Sequence, residues 1–187
     1  MRLFYRLEER LLYVVNYPFN HMWLFGLEGR EKEKQLFDSV WEGDEEKFFK
    51  LVSSKDFDPS KINWNALDPR SNDGNPNIPQ RTLLGLAVSS LRTKRVLTFL
   101  IGLSRDDSGK VVPLINPGKL EKASDSELEK LVKEAVATEG YRPVVDLRKG
   151  DSLGYAKNTG NNFAVFALGE VAAKHNKKLT FGKASRE

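Results

Sequence analysis

Apolar residues recur at a helical period along most of this chain, and polar, Gly- and Pro-rich segments separate the periodic stretches. Leu3, Phe4, Leu7, Leu11, Val14 and Val15 form one face of a helix over residues 3–15, with Arg2, Arg6 and Arg10 on another. Asn16-Tyr17-Pro18 ends it, because the residue before a proline is pushed out of helical geometry. A short aromatic segment follows, with Met22, Trp23, Leu24 and Phe25, punctuated by Gly26 and Gly29. In residues 31–54, Leu36, Phe37 and Val40 make one apolar stripe, and Phe48, Leu51 and Val52 make a second. Gly43 and Asp44 between them read as a helix stop and a helix N-cap, and Glu45 and Glu46 suit the positive end of the second helix.

Residues 53–81 are polar and carry Pro59, Pro69, Pro76 and Pro79, with Asn72-Asp73-Gly74 as a turn signal. A loop this long inside a compact domain is uncommon and often functional. Residues 82–102 repeat the two-helix pattern, with Leu83, Leu84, Leu86, Ala87 and Val88 followed by Val96, Phe99, Leu100 and Ile101. Residues 104–118 read as a polar connection. Residues 125–138 read as a charged amphipathic helix carrying Leu128, Leu131, Val132, Ala135 and Val136, with capping candidates at Ser124 and Ser126. Val144, Val145 and Leu147 then mix with Gly150, Gly154 and Gly160, and a last helix over residues 163–179 turns Lys-rich at its end. The pattern predicts an all-α, mainly helical fold.

The two helix pairs align without a gap when Leu36 is set against Leu84, an offset of 48 residues. Ser39-Val40 then falls on Ala87-Val88, Phe48 on Val96, Leu51 on Phe99 and Val52 on Leu100. Thr82-Leu-Leu-Gly-Leu-Ala87 resembles the Thr-Pro-Leu-His-x-Ala opening of the ankyrin repeat family, and Leu36-x-x-Ser-Val-x-x-Gly-Asp44 resembles its helix–helix turn. Ile62-Asn63 and Ile115-Asn116 sit where that family places Val-Asn before a hairpin, and Asn72-Asp73-Gly74 resembles a hairpin tip. The departures are specific. Leu83 and Gly85 replace the proline and histidine of the opening, Leu91 replaces the turn glycine of the second unit, and 48 residues exceed the repeat length of about 33. The resemblance spans residues 31–116. It implies a short ankyrin-like stack of helical hairpins with capping helices at both ends. The corresponding division is 1–30 as an N-terminal helical cap, 31–118 as a repeat pair with a long inserted loop, and 119–187 as a C-terminal cap or degenerate further repeat.

Composition narrows this picture from outside. The 187 residues suit one domain or a short array, and 40% hydrophobic with 30% charged residues lies in the globular range. The absence of cysteine removes disulfides, thiolate catalysis and cysteine zinc sites, and fits a reducing compartment. Thirty Lys and Arg against 26 Asp and Glu give a net charge of +4, and the two signs are mixed along the chain as on a solvated surface. No apolar run approaches the roughly 18–20 residues of a membrane span, and Glu8, Glu9 and Arg10 interrupt any secretory signal. The expected location is the cytoplasm. Delivery into a host cell without a cleaved signal stays open, since degenerate ankyrin-like repeats also occur in proteins that intracellular bacteria export as effectors.

Motifs for chemistry are missing. His21 and His175 stand far apart and away from any metal-ligand spacing, and Asp68, Ser71, Asp73 and Asn75 do not match an EF-hand loop. Gly154-Tyr-Ala-Lys-Asn-Thr-Gly160 lacks the Gly-Lys-Ser/Thr ending of a phosphate loop, and nothing sets a nucleophile beside a base. No catalytic residue, metal or cofactor is expected. Two basic clusters, Arg92-Lys94-Arg95 and Lys174-Lys177-Lys178-Lys183-Arg186, keep a nucleic-acid or acidic-surface binder as the alternative, and a small enzyme built on residues 140–160 is a more distant one. The ankyrin resemblance implies a protein partner held by hairpin tips and first-helix faces. On this chain that surface comprises Trp41, Trp64, Asn65, Asp68, Arg70, Asn72 and Asp73. Tryptophan and arginine are the side chains that most often dominate protein interfaces.

Overall fold

A computed structural model of the chain describes residues 21–68, 81–147 and 156–174, with side chains from residue 30 onward in the first span. The expected helix at residues 3–15 and the Asn72-Asp73-Gly74 turn lie outside these residues.

Two helical hairpins are built by the signals the sequence carries. Helix α1, His21–Glu42, is followed by α2, Glu45–Val52. Between them Gly43 takes a left-handed φ of 71°, which only glycine adopts without strain. The Asp44 N–H then bonds the Ser39 carbonyl at 2.9 Å and the Gly43 N–H bonds the Val40 carbonyl at 3.2 Å, the paired bonds of a Schellman stop. Asp44 next caps α2, its carboxylate accepting the Lys47 N–H at 2.9 Å. Helix α3, Leu83–Ser89, begins at Thr82, whose hydroxyl accepts the Gly85 N–H at 3.1 Å. Helix α4, Lys94–Ile101, follows a turn held by the Thr93 hydroxyl, which donates to the Ala87 carbonyl at 2.8 Å.

The hairpins stack like on like, α1 against α3 and α2 against α4. The aligned positions share their fate: Leu36 and Leu84, Ser39 and Ala87, Val40 and Val88, Phe48 and Val96, Val52 and Leu100 are all buried. Phe99 sits edge-on to Phe48 at 5.7 Å between ring centroids and to Phe49 at 6.3 Å, filling the layer between the units.

Beyond α4 the structure departs from a run of helices. Strands β1, Leu103–Arg105, and β2, Val111–Pro113, pair antiparallel with Leu103 opposite Pro113 and Arg105 opposite Val111. Residues 106–110 close the hairpin, with Asp106 N–H bonded to the Lys110 carbonyl and the Asp106 carboxylate accepting the Ser108 hydroxyl and Lys110 N–H. Residues 142–144 line the other edge of β1 through Arg105 N–H to the Arg142 carbonyl and Val144 N–H to the Leu103 carbonyl. The polar connection expected at residues 104–118 therefore contains a small sheet, and the fold is mainly helical rather than purely so.

Helix α5, Pro117–Leu120, starts at Asn116, whose side chain accepts the Gly118 N–H. Ile115-Asn116 thus leads into a helix, and the hairpin precedes it instead of following. Helix α6, Asp125–Ala137, opens with a full capping box between Ser124 and Glu127. The Ser124 N–H, then its hydroxyl, hold the Glu127 carboxyl below its ordinary value. Helix α7, Asn162–Lys174, packs with α6 against α4. One buried cluster runs from Leu36 to Val171. Helix α1 runs across residue 30, with Gly26 and Gly29 inside it, and α5 runs across residue 118.

Candidate interaction surface

Of the seven residues expected to meet a partner, four are described with their side chains, and the structure places them differently. Trp41, on the last turn of α1, keeps 54% of its surface exposed. Trp64 is only 2% exposed; its ring meets Phe57 and Phe99, and its indole N–H donates to the Pro59 carbonyl at 2.9 Å. Asn65 is half-buried and works as a clamp: its amide donates to the Val144 carbonyl at 2.9 Å and accepts the Asp146 N–H at 2.7 Å. Asp68 is 1% exposed, next to the isolated β-bridge between Leu67 and Thr82, with its N–H on the Arg81 carbonyl at 2.7 Å. Trp64, Asn65 and Asp68 therefore face inward and tie the long connection to α4, to residues 144–146 and to the start of α3. Burial withdraws Trp64 and Asp68 from a partner-facing role, and the half-buried Asn65 spends its amide on contacts within the chain. Arg70, Asn72 and Asp73 lie outside the described residues.

The two helix–helix turns come together at one edge of the stack. A methyl group placed on Gly43 would lie 4.0 Å from the Arg92 Cδ, so the α1–α2 turn adjoins the α3–α4 turn. Each turn carries a large apolar side chain in water: Trp41 just before Gly43, and Leu91, 61% exposed, just before Arg92. In the sequence Leu91 stands where the second unit of a repeat pair would carry its turn glycine. Its exposure follows from Ser90 and Thr93, which spend their hydroxyls inside the turn: the Arg92 N–H bonds the Ser90 Oγ at 3.2 Å, and Thr93 is fully buried on Ala87.

The basic residues at this edge are largely matched. Lys47 pairs with Glu42 at 3.0 Å, Lys94 with Asp125, and Arg95 with Glu45 at 3.7 Å. Glu45 does more than pair. Its Oε1 accepts the Arg95 N–H at 3.0 Å and the Val96 N–H at 3.4 Å, so a side chain from the first unit caps the second helix of the second unit. Thr93, the residue at the N-cap position, makes no such bond. Burial pushes the Glu45 carboxyl up from its ordinary value, against the opposing pull of those two N–H groups and the Arg95 charge. The cluster Arg92-Lys94-Arg95, read as a nucleic-acid candidate, is thus mostly neutralised within the chain. The basic residues from Lys177 to Arg186 fall outside the described residues.

Among the described residues no three His, Cys, Asp or Glu side chains gather as a metal site, and no helix is long and apolar enough to cross a membrane. Tyr141, in the Gly-rich region weighed for catalysis, is buried with its hydroxyl on the Ile101 carbonyl at 2.7 Å, and burial raises its pKa.

A second trace of repetition emerges only with the caps in view. Asp58-Pro-Ser-Lys-Ile62 and Asn116-Pro-Gly-Lys-Leu120 each follow the second helix of a pair. In each, the Asx side chain accepts the N–H two residues on at 2.9 Å, and the terminal Ile62 or Leu120 is buried. The β1–β2 hairpin sits between α4 and the second copy, which hid the correspondence from a gapless alignment. The class defined by this geometry is a mainly helical stack of two hairpins with an exposed turn edge. No family model, curated protein or solved structure matches the chain.

Proposed function

We propose that this chain is a protein-interaction module, an ankyrin-like pair of stacked helical hairpins that holds a protein partner along its turn edge. The observation that carries the reading is the pairing of Trp41 and Leu91, exposed on two adjoining and internally bonded turns. Aromatic and aliphatic anchors on a preorganised backbone bind with little ordering cost. The repeat alignment, the like-on-like stacking and the two Asx-Pro turns support the ankyrin likeness. The reading assigns no reaction and no cofactor.

The test is photo-cross-linking with a diazirine amino acid at position 41 or 91, against a control at the exposed Lys130 on α6. Protein adducts from 41 and 91, absent from 130 and persisting at moderate salt, support the module. Equal labelling at all three positions, or salt-labile nucleic acid alone, contradicts it and favours the basic-surface alternative.

A further inference from the structure

We propose that the turn edge takes an acidic, apolar peptide segment, with a carboxylate on Arg92 and an aliphatic or aromatic side chain against Leu91 and Trp41; this rests on the interaction reading and names the partner's chemistry. Charge at the edge selects it. Lys47, Lys94 and Arg95 each have a carboxylate from within the chain, whereas among the described residues Arg92 has none within ion-pairing distance. Arg92 is exposed, its backbone N–H is held by the Ser90 hydroxyl, and its Cδ lies over Gly43 of the adjoining turn. A planar guanidinium prefers a carboxylate that it can grip with two parallel N–H bonds.

The neighbouring turn supplies the apolar half. The Schellman bonds at Ser39 and Val40 and the Asp44 cap hold the α1–α2 turn rigid, and Gly43, lacking a side chain, lets Arg92 lie across it. A peptide meeting the edge therefore finds a cation lying over Gly43, with the exposed Leu91 next to it in sequence and the exposed Trp41 two residues before that glycine. Two other occupants fit less well. Nucleic acid binding gathers several unpaired cations along a backbone, and here three of the four are already neutralised. A two-fold contact with a second copy centred on this edge brings Arg92 toward its own image.

Random dodecapeptides displayed on phage, selected on the folded full chain, test this directly. Arg92 is exposed and its side chain holds no partner within the described residues, so Arg92→Glu is expected to unfold at the wild-type midpoint. The expected result is a selected set rich in Asp or Glu next to Leu, Phe or Trp. Its members lose about tenfold in affinity on Arg92→Glu, the size of one charge-assisted contact. Selection on Arg92→Glu itself then shifts toward Lys- and Arg-bearing peptides. Peptides that fail on Leu91→Ser or Trp41→Ala but ignore the charge at 92 overturn the acidic-segment inference and leave the interaction reading standing. A selected set indifferent to all three substitutions overturns both. Concentration-dependent dimerisation of the wild type that Arg92→Glu abolishes gives the edge to a second copy, and likewise overturns the inference.

Discussion

In the second hairpin every residue from Leu83 to Val88 and from Val96 to Ile101 is buried, while in the first α2 buries only Phe48, Phe49 and Val52 of its eight residues. The neighbours explain the difference. Helix α4 packs against α2, α3, α5, α6, α7 and β1, whereas α2 packs chiefly against α1, α4 and α5. A helix enclosed on all sides loses its polar face, and one at the rim keeps it. Two copies of one pattern have thus taken different work: the second is the hub of the core, and the first both braces it and leaves its turn in water.

The aligned pair Phe99 and Leu51 probes that contrast most strongly. Phe99→Ala is expected to cost about 3–5 kcal/mol in urea unfolding, because the ring fills the layer against Phe48, Phe49 and Trp64. Leu51→Ala, at the equivalent but half-buried position, is expected to cost about 1–2 kcal/mol. Equal losses would break the distinction between hub and rim.

Next in size is Asn161→Ala. This buried amide caps α7 by accepting the Ala164 N–H at 3.1 Å, while its NH2 group donates to the Val88 carbonyl at 3.0 Å in the last turn of α3. Loss of the cap together with an orphaned carbonyl costs about 2 kcal/mol, measured by the same unfolding. It sharpens the comparison, since nothing in the first hairpin depends on it.

Glu45 couples the two units more weakly. Glu45→Ala is expected to cost about 1 kcal/mol as the α4 cap is lost. Glu45→Gln keeps an acceptor oxygen without a buried charge. The carboxyl pKa is raised on folding, so the native state binds more protons than the unfolded chain, and the contribution of Glu45 is largest at acid pH and declines as pH rises through the raised value. Glu45→Gln should therefore gain on wild type as pH rises through and above the ordinary carboxylate value. A difference that does not change with pH contradicts the assignment. The smallest effect belongs to Trp41→Ala, expected to shift stability by no more than about 0.5 kcal/mol, since most of the side chain is in water.

The elements written in strong local signals were legible: Gly43-Asp44 as stop and cap, Ser124 and Glu127 as a capping box, and the two hairpins from their apolar period. The three-residue strands were not, because Leu103–Arg105 and Val111–Pro113 are too short for alternation to show, although the Asp-Ser-Gly segment at residues 107–109 marks the turn. Gly26 and Gly29 read as breaks yet lie inside α1; a single glycine costs a helix only about 1 kcal/mol. On the candidate surface Trp41 is exposed on the first helix that the resemblance implied, while the exposure of Leu91 depends on turn hydroxyls that bond inward. Trp64 and Asp68 lie in a polar, Pro-rich segment that suggests exposure, and only the contact of Trp64 with Phe99 and the bond of the Asp68 N–H to the Arg81 carbonyl reveal their burial.

The turn edge as the site of partner binding is tested most directly by calorimetric titration of a cross-linked partner, once isolated, into wild type and into the Trp41→Ala/Leu91→Ser double variant. The expected result is an unchanged unfolding midpoint with an affinity loss of about thirtyfold or more, the scale of one interface hot spot. Equal affinity of the two proteins for the partner would contradict the account.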